Sequence, residues 1–150
     1  MRTGVSYMGH HIPRHIEADI RAMVDLQLDD VLVCAQENDF VHFTGKIEFT
    51  PKVAKDRGLR PLAIFWGALN LFGGGRSSQH LLEHPEGFQV RRDGSHWPEG
   101  CYVNPSNVSR IQEMIDRVVE LGFEGYFVDE PTPLRGCFCP SCRAKYGEWY

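Results

Sequence analysis

Four short, almost wholly apolar runs, residues 4–7, 31–35, 61–66 and 125–129, recur along the chain and constrain its fold more than anything else in it. None shows the polar alternation of a strand with one wet face, so each reads as a strand buried on both faces of a parallel sheet. Helical patterns lie between them. Residues 105–121 place Val108, Ile111, Ile115, Val118 and Val119 on one face at helical spacing, with Asn104 suited to the cap, Pro105 to the first turn and Gly122 to a left-handed stop. Residues 13–28 repeat the design with Ile16, Ile20, Met23 and Val24; a shorter helix is predicted over 47–57 and a fourth from near Cys139. A strand–helix order repeated four times predicts an α/β fold with right-handed crossovers.

The 150 residues suffice for a single domain, 1–150, since a chain this long buries roughly 70% of the surface it exposes unfolded. Sixteen Lys and Arg against twenty Asp and Glu give a net charge of −4, which offers no basic face for nucleic acid. The apolar runs fall far short of the roughly 20 residues that cross a bilayer, and the N-terminus carries no apolar signal core. We therefore expect a cytoplasmic protein without a membrane partner. Its five cysteines would be kept reduced there.

Residues 67–103 break the rhythm, because a strand-to-helix connection is normally a handful of residues long. The glycines Gly73, Gly74 and Gly75 and an Asp93–Gly94 turn between residues 88–92 and 95–97 predict an ordered lid containing a small hairpin. Following the third strand, this long loop would lie at the carboxyl end of the sheet, where such folds place their chemistry.

Polar residues gather after each run: His10, His11 and Arg14 after the first, Glu37, Asn38 and Asp39 after the second, Trp66 after the third, and Asp129 and Glu130 at the fourth. On one rim they would make a pocket of donors and acceptors with an aromatic floor, suited to a polyhydroxylated ligand such as a sugar. Taken singly, each also reads as a helix cap or a solvated loop residue. Cys137, Cys139 and Cys142 form C-x-C-x-x-C on a Gly/Pro-rich turn, and Cys101 precedes the long helix. Four thiolates complete a closed tetrahedral zinc site of structural type. Cys34, inside a strand, reads as a small buried apolar residue.

The stretch from Cys101-Tyr-Val-Asn-Pro through Gly125-Tyr-Phe-Val-Asp-Glu-Pro to Cys137-Phe-Cys-Pro-Ser-Cys-Arg-Ala-Lys-Tyr-Gly-Glu-Trp resembles the β-galactosidases of glycoside hydrolase family 42. The resemblance implies a (β/α)8 TIM barrel, Glu130 as acid/base, and Cys101, Cys137, Cys139 and Cys142 as zinc ligands. The family has Asn where Asp129 stands. Residues 88–94 and the run ending at Asp129 are also similar to the wider group around α-fucosidases, which would make Asp129 a nucleophile.

Such barrels need about 250 residues, so the chain is expected to be the N-terminal half of one, its first four βα units, completed by a C-terminal half or by association with a second copy. The function expected is glycoside hydrolysis. Two others stay open: a sugar isomerase holding a divalent ion through His10, His11, Glu37, Asp39 and Glu130, and a non-catalytic, zinc-stabilised carbohydrate-binding module.

Overall fold

The computed structural model describes residues 1–131 and 136–147. Its elements run β1 (Gly4–Tyr7), α1 (Pro13–Asp25), β2 (Asp30–Cys34), α2 (Glu37–Val41), α3 (Thr44–Asp56), β3 (Arg60–Phe65), α4 (Gln79–Glu83), a 3-10 turn (Pro85–Gly87), β4 (Phe88–Val90), β5 (His96–Gly100), α5 (Pro105–Glu120), β6 (Tyr126–Val128) and α6 (Pro140–Tyr146). Two compact units emerge: Met1–Phe65 with Ile115–Val128, and Trp66–Met114 with Asp129–Tyr150.

The first unit holds a parallel sheet in the order β1-β2-β3-β6. Its register sets Gly4 opposite Asp30, Asp30 opposite Arg60 and Ala63 opposite Tyr126. Ile16, Ile20 and Met23 of α1 are buried, as are Ile47, Val53 and Ala54 of α3, with Val31, Val33, Ala63 and Phe65 from the two central strands. Helix α3 starts three residues earlier than its periodicity suggests and carries Pro51 in its interior. A proline there normally interrupts a helix; burial of Ile47, Thr50 and Pro51 itself holds the turn together.

The α/β class holds, but the half-barrel does not. The structure contains an open four-stranded parallel sheet and a separate two-stranded antiparallel one, not four regular βα units of a ring. Two helices follow β2, and the stretch between β3 and β6 contains α4, a 3-10 turn, a hairpin and α5. The apolar runs misled because only β2 and β3 are largely buried. β1 buries Tyr7 alone, and in β6 Tyr126 and Phe127 are each 49% exposed. These two are edge strands, apolar without being enclosed.

In the second unit, the long connection is ordered. Gly67 (φ +75°) approaches Gly74 so closely that a Cβ would lie on its carbonyl oxygen, so only glycine fits. Beside it Leu71 and Phe72 are buried with φ of +50° and +71°, a left-handed pair that local packing must hold. Ser78 caps α4 by accepting the Leu81 amide at 3.2 Å. The Asp93–Gly94 turn joins β4 to β5, with Gly94 at φ +86° and Asp93 Oδ1 accepting from the Ser95 amide at 2.9 Å.

Helix α5 begins where its sequence placed it: Asn104 Oδ1 accepts the amides of Ser106 (3.0 Å) and Asn107 (3.3 Å). Its buried positions are Asn107, Met114 and Val118, while Val108 and Val119 are more than half-exposed or close to it, at 50% and 58%. The stripe is turned from the expected one because a polar residue, Asn107, occupies a core position. Among the described residues no helix is long and apolar enough to cross a membrane.

Candidate metal centre

The C-P-S-C segment builds half the centre through its own helix start. Cys139 is the N-cap of α6 and Pro140 follows at the first turn, so Cys142, three residues on, directs its amide to Cys139 Sγ at 3.5 Å. Both thiols therefore sit on one side of a single turn. Cys137 is carried in by strand-like contacts: Phe138 N–H donates to Val90 O (2.8 Å) and Val90 N–H reaches Cys137 Sγ (3.4 Å). Cys101 arrives from the end of β5, where its Sγ accepts the Val103 amide at 3.4 Å.

The four sulfurs lie within 4.8 Å of one another. Cys101 Sγ stands 3.4 Å from Cys142 Sγ and 3.6 Å from Cys139 Sγ. A tetrahedron of sulfurs about 2.3 Å from a central zinc ion has edges of about 3.8 Å, so the spacing suits a shared cation. All four are free cysteines; Cys101, Cys139 and Cys142 are buried and Cys137 is half-buried, with Val90 and Val103 packed against them. The donor set, four soft thiols, is compatible with a structural zinc site.

Electrostatics point the same way. Burial pushes the Cys101 thiol up to about 11 and the Cys142 thiol upward too, the latter reinforced by its hydrogen bond and proximity to Cys101. Burial acts against the Cys139 thiolate as well, but the Cys142 amide and three neighbouring thiols outweigh it and hold that thiol below its ordinary value. Four thiolates gathered in this space would call for a cation to offset their charge.

Asn107 fixes the loop that carries Cys101. Completely buried, it donates through Nδ2 to Gly87 O (2.7 Å) and Cys101 O (2.9 Å). With both amide protons used, its Oδ1 must accept from His80 Nε2 at 3.1 Å, which places the His80 proton on that nitrogen. Burial lowers the His80 pKa, keeping the ring neutral. Gly87 has no room for a side chain, a Cβ there falling 2.6 Å from Asn107 Oδ1.

The strand-end residues are placed as follows. In the first unit His10, His11, Arg14 and Asn38 are exposed and Glu37 is half-buried. The ring of His10 meets His15 edge-on at 4.9 Å, and that of His11 lies 5.3 Å from Phe43. Asp39 is instead a buried structural acid, accepting the Gln36 amide (2.9 Å) and pairing with Lys46 Nζ at 2.7 Å; Lys46 also reaches Met8 O at 3.4 Å. In the second unit Trp66 is 38% exposed, Asp129 is half-buried and Glu130 is exposed. Asp129 Oδ1 accepts the Glu130 amide at 3.0 Å, and Glu130 adopts φ +55°, a left-handed backbone rare outside glycine. Cys34 is buried, its thiol raised by burial. Glu148 and Trp149 of the motif lie outside the described residues. Sequence reasoning missed Lys46 and Asn107: a lysine and an asparagine within helices read as solvated, and nothing local marks them as core.

The chain is thus an α/β protein with a four-cysteine cluster able to hold a metal ion. Its fold is shared with the crystal structure of a hypothetical protein from Ruminiclostridium thermocellum ATCC 27405, at a TM-score of 0.62 and 11% identity over 85% of this chain and 75% of that one. No protein-family model matches the chain, and no curated protein matches it.

Proposed function

We propose that the chain is a zinc-stabilised α/β module in which Cys101, Cys137, Cys139 and Cys142 hold one structural zinc ion. The mutual approach of four sulfurs within 4.8 Å carries this reading. The ion would tie the end of β5, the turn before α6 and, through Val90, the hairpin into one body. With no open coordination position it would supply folding energy and no chemistry.

The module's partner, on this reading, is a carbohydrate, handled at the segment after β6. Support comes from the resemblance of residues 101–149 to family 42 glycosidases and from Glu130, an exposed acid held in a left-handed backbone next to Asp129. Strained non-glycine backbone concentrates at working sites. Glu130 would donate the proton to the leaving oxygen, with Asp129 orienting it or attacking, and Trp66 would stack on a sugar face.

One preparation tests both parts. Elemental analysis of protein from zinc-replete medium should give about one zinc per chain, falling to background in Cys139→Ser. Full occupancy in that variant would sink the ligand assignment. On aryl glycosides with poor leaving groups, Glu130→Gln should lose roughly 100-fold or more in turnover with its fold intact; unchanged turnover would remove Glu130 as the acid, and no turnover by the parent chain would leave a binding module.

A further inference from the structure

The second unit contains a cavity of about 350 Å³ lined by Arg91, Arg92, Asp93, Gly136 and Phe138. None of these residues figures among the zinc ligands or the strand-end acids. Its walls nevertheless depend on the thiol cluster. Arg91–Asp93 continue from Val90, Gly136 and Phe138 flank Cys137, and the two strips are joined by Phe138 N–H to Val90 O (2.8 Å) and Val90 N–H to Cys137 Sγ (3.4 Å).

The groups around the cavity are preset. The Arg91 guanidinium lies over the Trp97 ring, 4.2 Å from its centroid, and Nη1 reaches Ser95 Oγ at 3.4 Å, so its plane is fixed before any ligand arrives. Its Nε is buried and has no hydrogen-bond partner among the described residues. Arg92 is exposed. Asp93 Oδ1 accepts from the Ser95 amide (2.9 Å) and hydroxyl (2.6 Å), bonds that hold the carboxyl below its ordinary pKa. Among the described lining residues two guanidiniums stand with one carboxylate, in a chain of net −4.

Each property selects a feature of the ligand. Two neighbouring guanidiniums select an anion, and the planar guanidinium fork matches a planar carboxylate. Phe138 contributes an apolar ring to the lining, while the Asp93 carboxylate accepts hydrogen bonds and so suits a hydroxyl donor. The volume lies at the low end of small-molecule sites, enough for one substituted ring. We propose that this cavity binds the carboxylate-bearing ring of a sugar acid, the acid on Arg91 and Arg92, a hydroxyl on Asp93 and the ring on Phe138. The assignment rests on the zinc reading, since the thiol cluster sets the walls.

Calorimetric titration of the zinc-loaded chain tests it, with sodium glucuronate as probe and glucose, benzoate and inorganic phosphate as controls. Glucuronate should bind in the millimolar range and each control at least roughly tenfold more weakly. Arg92→Ala should weaken glucuronate roughly tenfold while keeping its zinc, because that side chain is exposed. Failure of glucuronate to bind, equal binding of any control, or an unaffected Arg92→Ala would overturn the proposal. Binding that survives chelation would overturn its dependence on the thiol cluster. Absence of zinc from the purified chain, read by elemental analysis beforehand, would instead count against the metal reading.

Discussion

Asn107 shows how much a single buried amide can hold. Its Nδ2 satisfies the carbonyls of Gly87 and Cys101, and its Oδ1 takes the proton of His80. Three segments distant in sequence meet at one side chain with no exposed surface. Truncation to alanine removes three hydrogen bonds from a fully buried side chain, while Gly87 O keeps the Cys101 amide, Cys101 O keeps the Asn104 amide and His80 Nε2 keeps Ser106 Oγ, so the cost is about 2 kcal/mol. We expect Asn107→Ala to lower the urea midpoint accordingly with an unchanged denaturant slope, and to weaken metal retention because the Cys101 loop loses its tether. A variant within about 0.5 kcal/mol of the parent would show that the remaining backbone donors suffice. The Lys46–Asp39 pair is the counterpart in the first unit. Two buried charges 2.7 Å apart link the segment after β1 to that after β2 through Met8 O, so removing either partner strands the other.

At the scale of elements, the N-terminal ends of β2 and β3 are joined by charge as well as by the sheet ladder. Asp30 accepts from Arg2 Nη2 at 2.6 Å and from Arg60 Nε at 2.9 Å and Nη2 at 3.0 Å, and those hydrogen bonds hold its carboxyl down to about 2. The folded pKa lies below the unfolded one, so the contribution is fully present above about pH 4 and is lost as pH falls toward about 2. Water screens the part-exposed arginines, which leaves about 1 kcal/mol. Asp30→Asn should reduce stability by that amount at neutral pH and flatten the parent's loss between about pH 4 and pH 2; parallel acid curves for parent and variant would assign the loss to other carboxylates. Other elements show what sequence alone makes legible. The four strands lie within a residue or two of the apolar runs, and Asn104, Pro105 and Gly122 bound α5, because caps and strand composition are local properties. Helices α2 and α4, five residues each, were invisible at helical periodicity, which needs two or three turns to register. Whether a strand is central or an edge depends on its neighbours, so β1 and β6 read as buried and are not. The cysteine cluster was legible for the opposite reason: ligand chemistry survives any topology that brings the thiols together, whereas a barrel requires every strand to be enclosed.

For the whole molecule, the division into two compact units separates what a metal at the thiol cluster would support from what it would not. All four cysteines belong to the second unit, together with the amides of Val90, Val103 and Cys142 that point at their sulfurs. The first unit has its own sheet and its own buried residues from α1, α3, β2 and β3. A structural zinc ion contributes on the order of 10 kcal/mol to the segment that folds around it, comparable to a small domain's entire stability. Chelation should therefore act regionally. In hydrogen exchange, amides of β4, β5 and residues 101–103 should lose protection by orders of magnitude after zinc removal, while Val31, Val33 and Ala63 in the central strands keep theirs. Restoring zinc, and not magnesium, should return the protection, because four thiols select a soft cation over a hard one. Equal loss across both units would mean that the sheet cannot fold without the metal-bound unit, and no loss anywhere would show that the thiols pack as reduced core residues with no cation among them.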